Sequence, residues 1–88
     1  MKIKPGFKLR SVAGQNIVVP IGDAAIDFNG MISLNESGAF LFKALTEEIT
    51  EDALVSALLE EYDVSLDCAK EDVGAFLQKM REAKLLDE

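Results

Sequence analysis

The chain has 88 residues, of which 49% are hydrophobic and 28% charged, so it is long enough for one small globular domain and too apolar to be disordered. Its longest clean apolar run, residues 17–21, contains Pro20 and is too short for a membrane span, and no apolar stretch near the first residue suggests a secretory signal. One cysteine and no histidine exclude an internal disulfide, leave a metal site short of ligands and remove the commonest general base. We therefore expect a cytoplasmic protein with no membrane partner, no metal and no cofactor.

The net charge of −7 is distributed unevenly along the chain. Residues 1–34 contain four basic and two acidic side chains, a net charge of +2, whereas residues 35–88 contain five basic and fourteen acidic ones, a net charge of −9. Proteins that bind nucleic acids gain affinity by neutralising phosphates with Lys and Arg. The acidic C-terminal part therefore disfavours a nucleic-acid partner.

The first third of the chain predicts a β-hairpin. Residues 7–12 alternate between apolar and polar side chains, which is typical of a half-buried strand. Residues 13–16 (AGQN) read as a turn, and residues 17–19 form a β-branched run that Pro20 ends. Two strands around a glycine-containing turn form a hairpin.

A third strand is predicted over residues 31–34. It follows the dipeptide Asn29-Gly30, which suits the positive φ angles of a tight turn. The stretch before it, residues 22–30, reads as a loop with a short extra strand near residues 25–28.

From Asn35 onward the apolar residues recur at helical spacing, and three helices are predicted. Asn35, Thr50 and Ser65 each precede a helical stripe and are good N-cap residues. The stripe of the third helix continues toward residues 85–86. Only Asp63-Val64 separates the second helix from the third, which favours a helix-turn-helix.

This order of elements predicts an α+β fold that is winged helix-turn-helix-like, with a three-stranded antiparallel sheet followed by three helices. Residues 1–88 form a single domain in this interpretation, with its strands within residues 7–34 and its helices within residues 35–86. The apolar stripes predict a shared core that contains Leu41, Phe42, Leu58, Val73, Phe76 and Leu77.

No group of residues points to catalysis. Cys68 falls in the first turn of the third helix, where the helix dipole favours a reactive thiolate, but Asp67, Glu71 and Asp72 oppose that effect. We interpret Cys68 as a partly buried structural cysteine. The paired carboxylates elsewhere in the chain lack the spacing of an EF-hand calcium loop and are better explained as solvent-exposed residues of helices. The chain is therefore not expected to be an enzyme.

Five segments, taken in order, carry a resemblance to a known family: LNESGAFLF at 34–42, TEDAL at 50–54, EYDV at 61–64, AKEDVGAFL at 69–77 and AKLL at 83–86. With these motifs the chain resembles the PqqD family, the proteins similar to pyrroloquinoline quinone (coenzyme PQQ) biosynthesis protein D, over roughly residues 7–86. The link Thr46–Ile49 stands where proteins of the quinone pathway tend to have an Asp-Gly turn. The resemblance therefore favours a PqqD-like peptide chaperone, acting in PQQ synthesis or in a related peptide natural product pathway.

The resemblance implies a RiPP recognition element, a non-catalytic domain that binds the leader of a ribosomal precursor peptide and presents it to a modifying enzyme, often a radical S-adenosylmethionine (radical SAM) enzyme. Strand edges have unpaired N–H and C=O groups that accept an added strand, and an edge beside an apolar helix suits this binding. We expect the peptide to bind along Met31, Ile32, Ser33 and Leu34, beside the third helix near Cys68, Asp72, Phe76 and Lys79.

Two alternatives remain at this point. A winged-helix transcription regulator would insert its third helix into a DNA groove, although the acidic first turns of that helix are unsuited to phosphate. A dimerisation module is the other alternative, because an open strand edge and a short hinge also permit a homodimer.

Overall fold

The computed structural model describes residues 1–22 and 32–88. In chain order the described elements are β1 (Lys2–Ile3), β2 (Phe7–Val12), β3 (Gln15–Pro20), β4 (Ile32–Leu34), α1 (Glu36–Ala44), α2 (Glu51–Glu61), α3 (Leu66–Glu82) and β5 (Leu86–Asp87). A three-stranded antiparallel sheet followed by three helices confirms the predicted fold class. The short strand expected near residues 25–28, the loop beyond residue 22 and Met31 lie outside the described residues.

The hairpin of β2 and β3 is tighter than predicted. Val12 pairs with Gln15, so the turn consists of Ala13 and Gly14 alone, with φ angles of 53° and 80°. Positive φ at both central residues is the geometry of a type I′ turn, which closes two twisted strands with two residues. Gln15 and Asn16, predicted as turn residues, therefore belong to β3.

β4 completes the sheet in the order β2-β3-β4, with Ser33 opposite Ile17 in antiparallel register. The two outer strands of this sheet are β2 and β4. No described strand pairs with the outer side of β4.

The three predicted N-caps are confirmed. The side-chain oxygens of Asn35, Thr50 and Ser65 accept hydrogen bonds from the backbone N–H groups of Gly38, Ala53 and Cys68, at 2.8, 3.1 and 3.1 Å. Each bond satisfies one of the donors that the first turn of a helix leaves free. The starts of the helices are thus determined by local sequence. None of the helices in the described ranges is long and apolar enough to cross a membrane.

The prediction that the helical stripe of α3 continues to residues 85–86 is wrong, because the helix ends at Glu82. Lys84 has a φ of 62°, and its N–H donates to the carbonyl of Arg81 at 3.0 Å. The N–H of Leu85 donates to the carbonyl of Met80 at 2.9 Å. These two bonds form a Schellman motif, which reverses the chain and leaves Leu85 packed beside Met80 in the core.

Lys84→Gly should raise the free energy of unfolding by about 0.5–1 kcal/mol, because glycine adopts positive φ without the steric cost that a side chain incurs. Lys70→Gly, at an exposed position inside the same helix, should lower it by about 1 kcal/mol. Urea denaturation of the two variants measures both changes. A loss of stability in Lys84→Gly would contradict the Schellman assignment.

A second, two-stranded sheet joins the ends of the chain, and sequence analysis did not predict it. β1 pairs antiparallel with β5, with Ile3 opposite Leu86. The N–H of Ile3 also donates to the carbonyl of Leu45, and that of Lys4 to the carbonyl of Leu85, both at 2.8 Å. We call this pair of strands the terminal sheet.

An ion pair holds the last residue against α3. The guanidinium of Arg81 donates to both carboxylate oxygens of Glu88 at 2.8–3.1 Å. This hydrogen bonding lowers the pKa of Glu88 below its ordinary value and raises that of Arg81.

One hydrophobic core lies between the sheet and the three helices. The six residues predicted to share it are all buried, each with no more than 6% of its surface exposed, and belong to one cluster: Leu41, Phe42, Leu58, Val73, Phe76 and Leu77. The terminal sheet contributes Ile3 and Leu86 to the same cluster. The predicted core is confirmed.

Candidate functional site

The register of the sheet determines which backbone groups of β4 face outward. The residues that flank a two-residue hairpin turn form a hydrogen-bonded pair, and such pairs alternate with non-bonded pairs along an antiparallel ladder. Ile17 therefore directs its N–H and C=O toward β2, whereas Val18 directs its own toward β4. Ser33 lies opposite Ile17, so its N–H and C=O point away from β3, toward the outer side of β4.

A side chain of α3 reaches this edge. The ammonium group of Lys79 donates to the carbonyl oxygen of Ser33 at 3.0 Å. The contact agrees with the direction that the register gives to that carbonyl. It also places α3 alongside the outer side of β4, with a groove between the two elements.

The groove contains a cavity of about 250 Å³. Among the residues that the structure describes, nine line it: Leu34, Asn35, Ser37, Gly38, Leu41, Asp72, Ala75, Phe76 and Lys79. Leu34, Leu41 and Phe76 are buried and form an apolar floor, whereas Asp72 and Lys79 are exposed. Pockets for drug-sized ligands are usually about 300–1,000 Å³, so this cavity is better matched to one or two side chains of a peptide.

Gly38 allows α1 to start close to the end of β4. A Cβ atom on Gly38 would lie 3.1 Å from Oδ1 of Asn35 and 3.3 Å from Cβ of Leu34. Both distances are tighter than ordinary van der Waals contact. The first turn of α1 thus packs tightly against the residues that end β4, and it forms one wall of the cavity.

Five of the predicted peptide-binding residues come together around the groove: Ser33, Leu34, Asp72, Phe76 and Lys79. Ile32 is half-buried and packs against the core, and its N–H and C=O face Val18 of β3, so it presents no backbone groups at the outer edge of β4. Met31 lies outside the described residues.

Cys68 is placed differently from the other predicted residues. It is exposed in the first turn of α3 and does not line the cavity. The interpretation of Cys68 as a partly buried structural cysteine is therefore wrong. Successive helical residues are rotated by about 100°, so when Ala69 starts the buried stripe, Cys68 points away from it.

Sequence analysis missed several residues of the cavity wall, namely Asn35, Ser37, Gly38 and Ala75. Ala75 could have been found, because positions 72, 75, 76 and 79 follow the i, i+3, i+4, i+7 spacing of one helix face. The residues of α1 carried no comparable signal, since their place in the wall depends on how α1 packs against β4.

Together, the sheet, the three helices and the groove define an α+β, winged helix-turn-helix-like domain, in which a strand edge beside a helix is paired with no strand of the described residues. The chain belongs to the PqqD family: the family described as "Coenzyme PQQ synthesis protein D (PqqD)" matches residues 17–86.

A solved structure has the same fold. The chain is similar to the protein in "TbiB1 in Complex with the TbiA(beta) Leader Peptide", with a TM-score of 0.75 and 20% sequence identity. The similarity covers 99% of this chain and 95% of the other. No curated protein matches the chain.

Proposed function

We propose that this protein is a RiPP recognition element, a non-catalytic peptide chaperone that binds the leader of a ribosomal precursor peptide by strand addition. In this proposal the protein then presents the peptide to a modifying enzyme, and the favoured class of enzyme is a radical SAM enzyme. The observation that carries the proposal is the outward-facing N–H and C=O of Ser33, directly beside an apolar cavity. Membership of the PqqD family supports it, and so does the leader peptide bound to the similar protein TbiB1.

Strand addition accounts for the features of the groove. One residue of an antiparallel peptide exchanges two backbone hydrogen bonds with Ser33, and these bonds do not depend on the peptide's sequence. Successive side chains of a strand point to opposite faces, so alternate side chains of the peptide face the cavity between β4 and α3. The backbone thus supplies register, and the cavity supplies selectivity.

Binding is tested by titrating isotope-labelled protein with peptides encoded by the short reading frames next to its gene. We expect a dissociation constant near about 1 μM, a binding free energy of about −8 kcal/mol, because the cost of ordering a short strand limits the affinity. Amide shifts should concentrate on residues 33–34 and 72–79. Shifts confined to residues 51–61, with β4 unchanged, would contradict the proposed surface.

Ser33→Pro should weaken leader binding by roughly tenfold or more, because it removes the outward N–H and puts a ring at the edge. Proline is tolerated in an edge strand when its missing N–H faces outward, so the fold should persist. Isothermal titration measures the affinity, and circular dichroism checks the fold. The matched control is Ser33→Ala, which keeps the N–H and should bind as the wild type does; equal affinities of the two variants would contradict the proposal.

The role of the modifying enzyme is tested separately, by following modification of the precursor peptide with and without this protein. We expect modification by the enzyme encoded nearby to depend on the protein and to fail with Ser33→Pro. Modification at the same rate without the protein would contradict a presenting role, while leaving peptide binding in place.

A DNA-binding role receives no support from α3. Asp67 lies in its first turn, and Glu71 and Asp72 are exposed on the turn that follows. A phosphate backbone would be repelled by these carboxylates.

A further inference from the structure

We propose that the groove selects its peptide by the order of charges along the strand: a basic side chain first, an apolar one next and an acidic one last, from the N to the C terminus. This inference rests on the proposed function and adds the class of peptide that the site accepts. Its basis is the placement of Asp72 and Lys79 relative to β4.

Asp72 and Lys79 lie on one face of α3, two turns apart, which is about 10 Å along the helix axis. Between them the helix presents Ala75 and Phe76, and all four residues line the cavity. The groove therefore has a negative charge at one end, an apolar middle and a positive charge at the other end.

Neither charge is neutralised by a described residue. The carboxylate of Asp72 has no hydrogen bond or ion pair with any residue in the described ranges 1–22 and 32–88. Lys79 contacts the backbone carbonyl of Ser33 and no carboxylate of the same ranges. Both side chains are thus able to pair with charges on a bound peptide.

The direction of α3 relative to β4 follows from two contacts. Lys79, toward the C-terminal end of α3, bonds to Ser33 in β4. Tyr62, which caps the end of α2 four positions before α3 starts, donates its hydroxyl to the carbonyl of Glu36, two positions after β4 ends, at 3.4 Å. The N-terminal end of α3 is therefore near the end of β4, and the two elements run in opposite directions.

An antiparallel peptide on β4 consequently runs in the same direction as α3. Its N-terminal part passes Asp72 and its C-terminal part passes Lys79. Antiparallel pairing is favoured because a single peptide residue satisfies both the N–H and the C=O of Ser33, whereas a parallel strand needs two residues to do so. The basic residue of the peptide is then the more N-terminal one.

Strand geometry gives the spacing of the three side chains. Residues two apart point to the same face and are about 7 Å apart, and residues four apart are about 13 Å apart. The groove therefore matches a peptide with a basic residue, an apolar residue two positions later and an acidic residue two positions after that. The charged residues of such a peptide are about 13 Å apart, against about 10 Å between Asp72 and Lys79, and flexible Lys, Arg and Glu side chains bend to cover this difference.

Lys79 has a second role in this arrangement. In the absence of a peptide its ammonium donates to the outward carbonyl of Ser33, and a charged side chain at a strand edge discourages pairing with unsuited strands. A carboxylate on the correct peptide attracts the ammonium and leaves the carbonyl to the peptide backbone.

Two capped synthetic peptides test the proposal. Both consist of threonine and serine around a central leucine; one has lysine two positions before the leucine and glutamate two positions after it, and the other has these two residues exchanged. The first should bind roughly fivefold more tightly, since exposed ion pairs each contribute modestly to affinity, and the difference should shrink as salt is added. Amide shifts of Ser33, Leu34 and Phe76 report binding in the groove for either peptide.

The double variant Asp72→Lys with Lys79→Asp keeps the net charge and should invert the preference. A matched control, Lys70→Glu with Glu71→Lys, exchanges exposed charges of the same helix that do not line the cavity, and should keep the wild-type preference. Equal affinities for both peptides, or the opposite preference in the wild type, would overturn the charge order while groove shifts still supported peptide binding. If neither peptide shifts the amide signals of the groove residues, the charge order is also overturned. The proposed function is tested separately, by the titration with leader peptides.

Discussion

Phe76→Ala should lower the free energy of unfolding by about 3–5 kcal/mol. The side chain is only 6% exposed and belongs to the core cluster, on the same stripe of α3 as Val73 and Leu77. A domain of this size has a total stability of about 4–13 kcal/mol, so the variant should be close to unfolding at ordinary temperature. Urea denaturation at low temperature measures the loss.

The control for this variant is Phe40→Ala. Phe40 is half-buried and contacts Tyr62 edge to face, with ring centroids 5.8 Å apart. Its truncation removes this ring contact and a partly buried surface, which should cost only about 1–2 kcal/mol. A melting temperature of Phe76→Ala equal to that of the wild type would mean that the stripe of α3 does not face the core.

Leu85→Ala should cost about 2–5 kcal/mol, the second large effect. Leu85 is fully buried, completes the Schellman motif at the end of α3 and accepts a backbone hydrogen bond from Lys4 through its carbonyl. Leu66→Ala provides a matched control, because Leu66 is 50% exposed and its truncation should change stability by no more than about 0.5 kcal/mol. Thermal melting of the two variants should separate them clearly; similar melting temperatures would contradict the structural role of Leu85.

The helix starts could be predicted from sequence because capping is local. Asn35, Thr50 and Ser65 each bond to an N–H three residues away, so no tertiary contact is needed to place them. The strands of the hairpin were predicted for a similar reason, from their period of two. The turn was predicted too long, because Gln15 and Asn16 are common turn residues and only the positive φ of Ala13 and Gly14 shortens it.

The end of α3 and the terminal sheet could not be predicted in this way. A helix that ends in a Schellman motif usually has glycine at the residue with positive φ, but here that residue is Lys84. The apolar residues Leu85 and Leu86 follow it, so the sequence suggests that the apolar stripe of the helix continues. β1 and β5 have two residues each, which is too short for any periodicity. Their pairing depends on the packing of the whole domain.

For the candidate site, sequence located the strand and the helix face but not the cavity between them. Asp72, Phe76 and Lys79 share a helical face, and this spacing is visible in the sequence. The wall formed by α1 depends on how α1 packs against β4, and the outward direction of Ser33 depends on the register in which β4 pairs with β3. Both are consequences of tertiary structure, as is the exposure of Cys68.

The terminal sheet also bears on the order of events in folding. It pairs Lys2 with Asp87, so its formation closes a loop that contains nearly the whole chain, whereas the β2–β3 hairpin and the helices form from neighbouring residues. Closing a long loop costs entropy before its contacts are gained, so we expect the terminal sheet to form after the rate-limiting step of folding. Substitutions in β1 or β5 should then change the rate of unfolding much more than the rate of folding. The two short strands would thus determine how long each molecule stays folded rather than how quickly it folds.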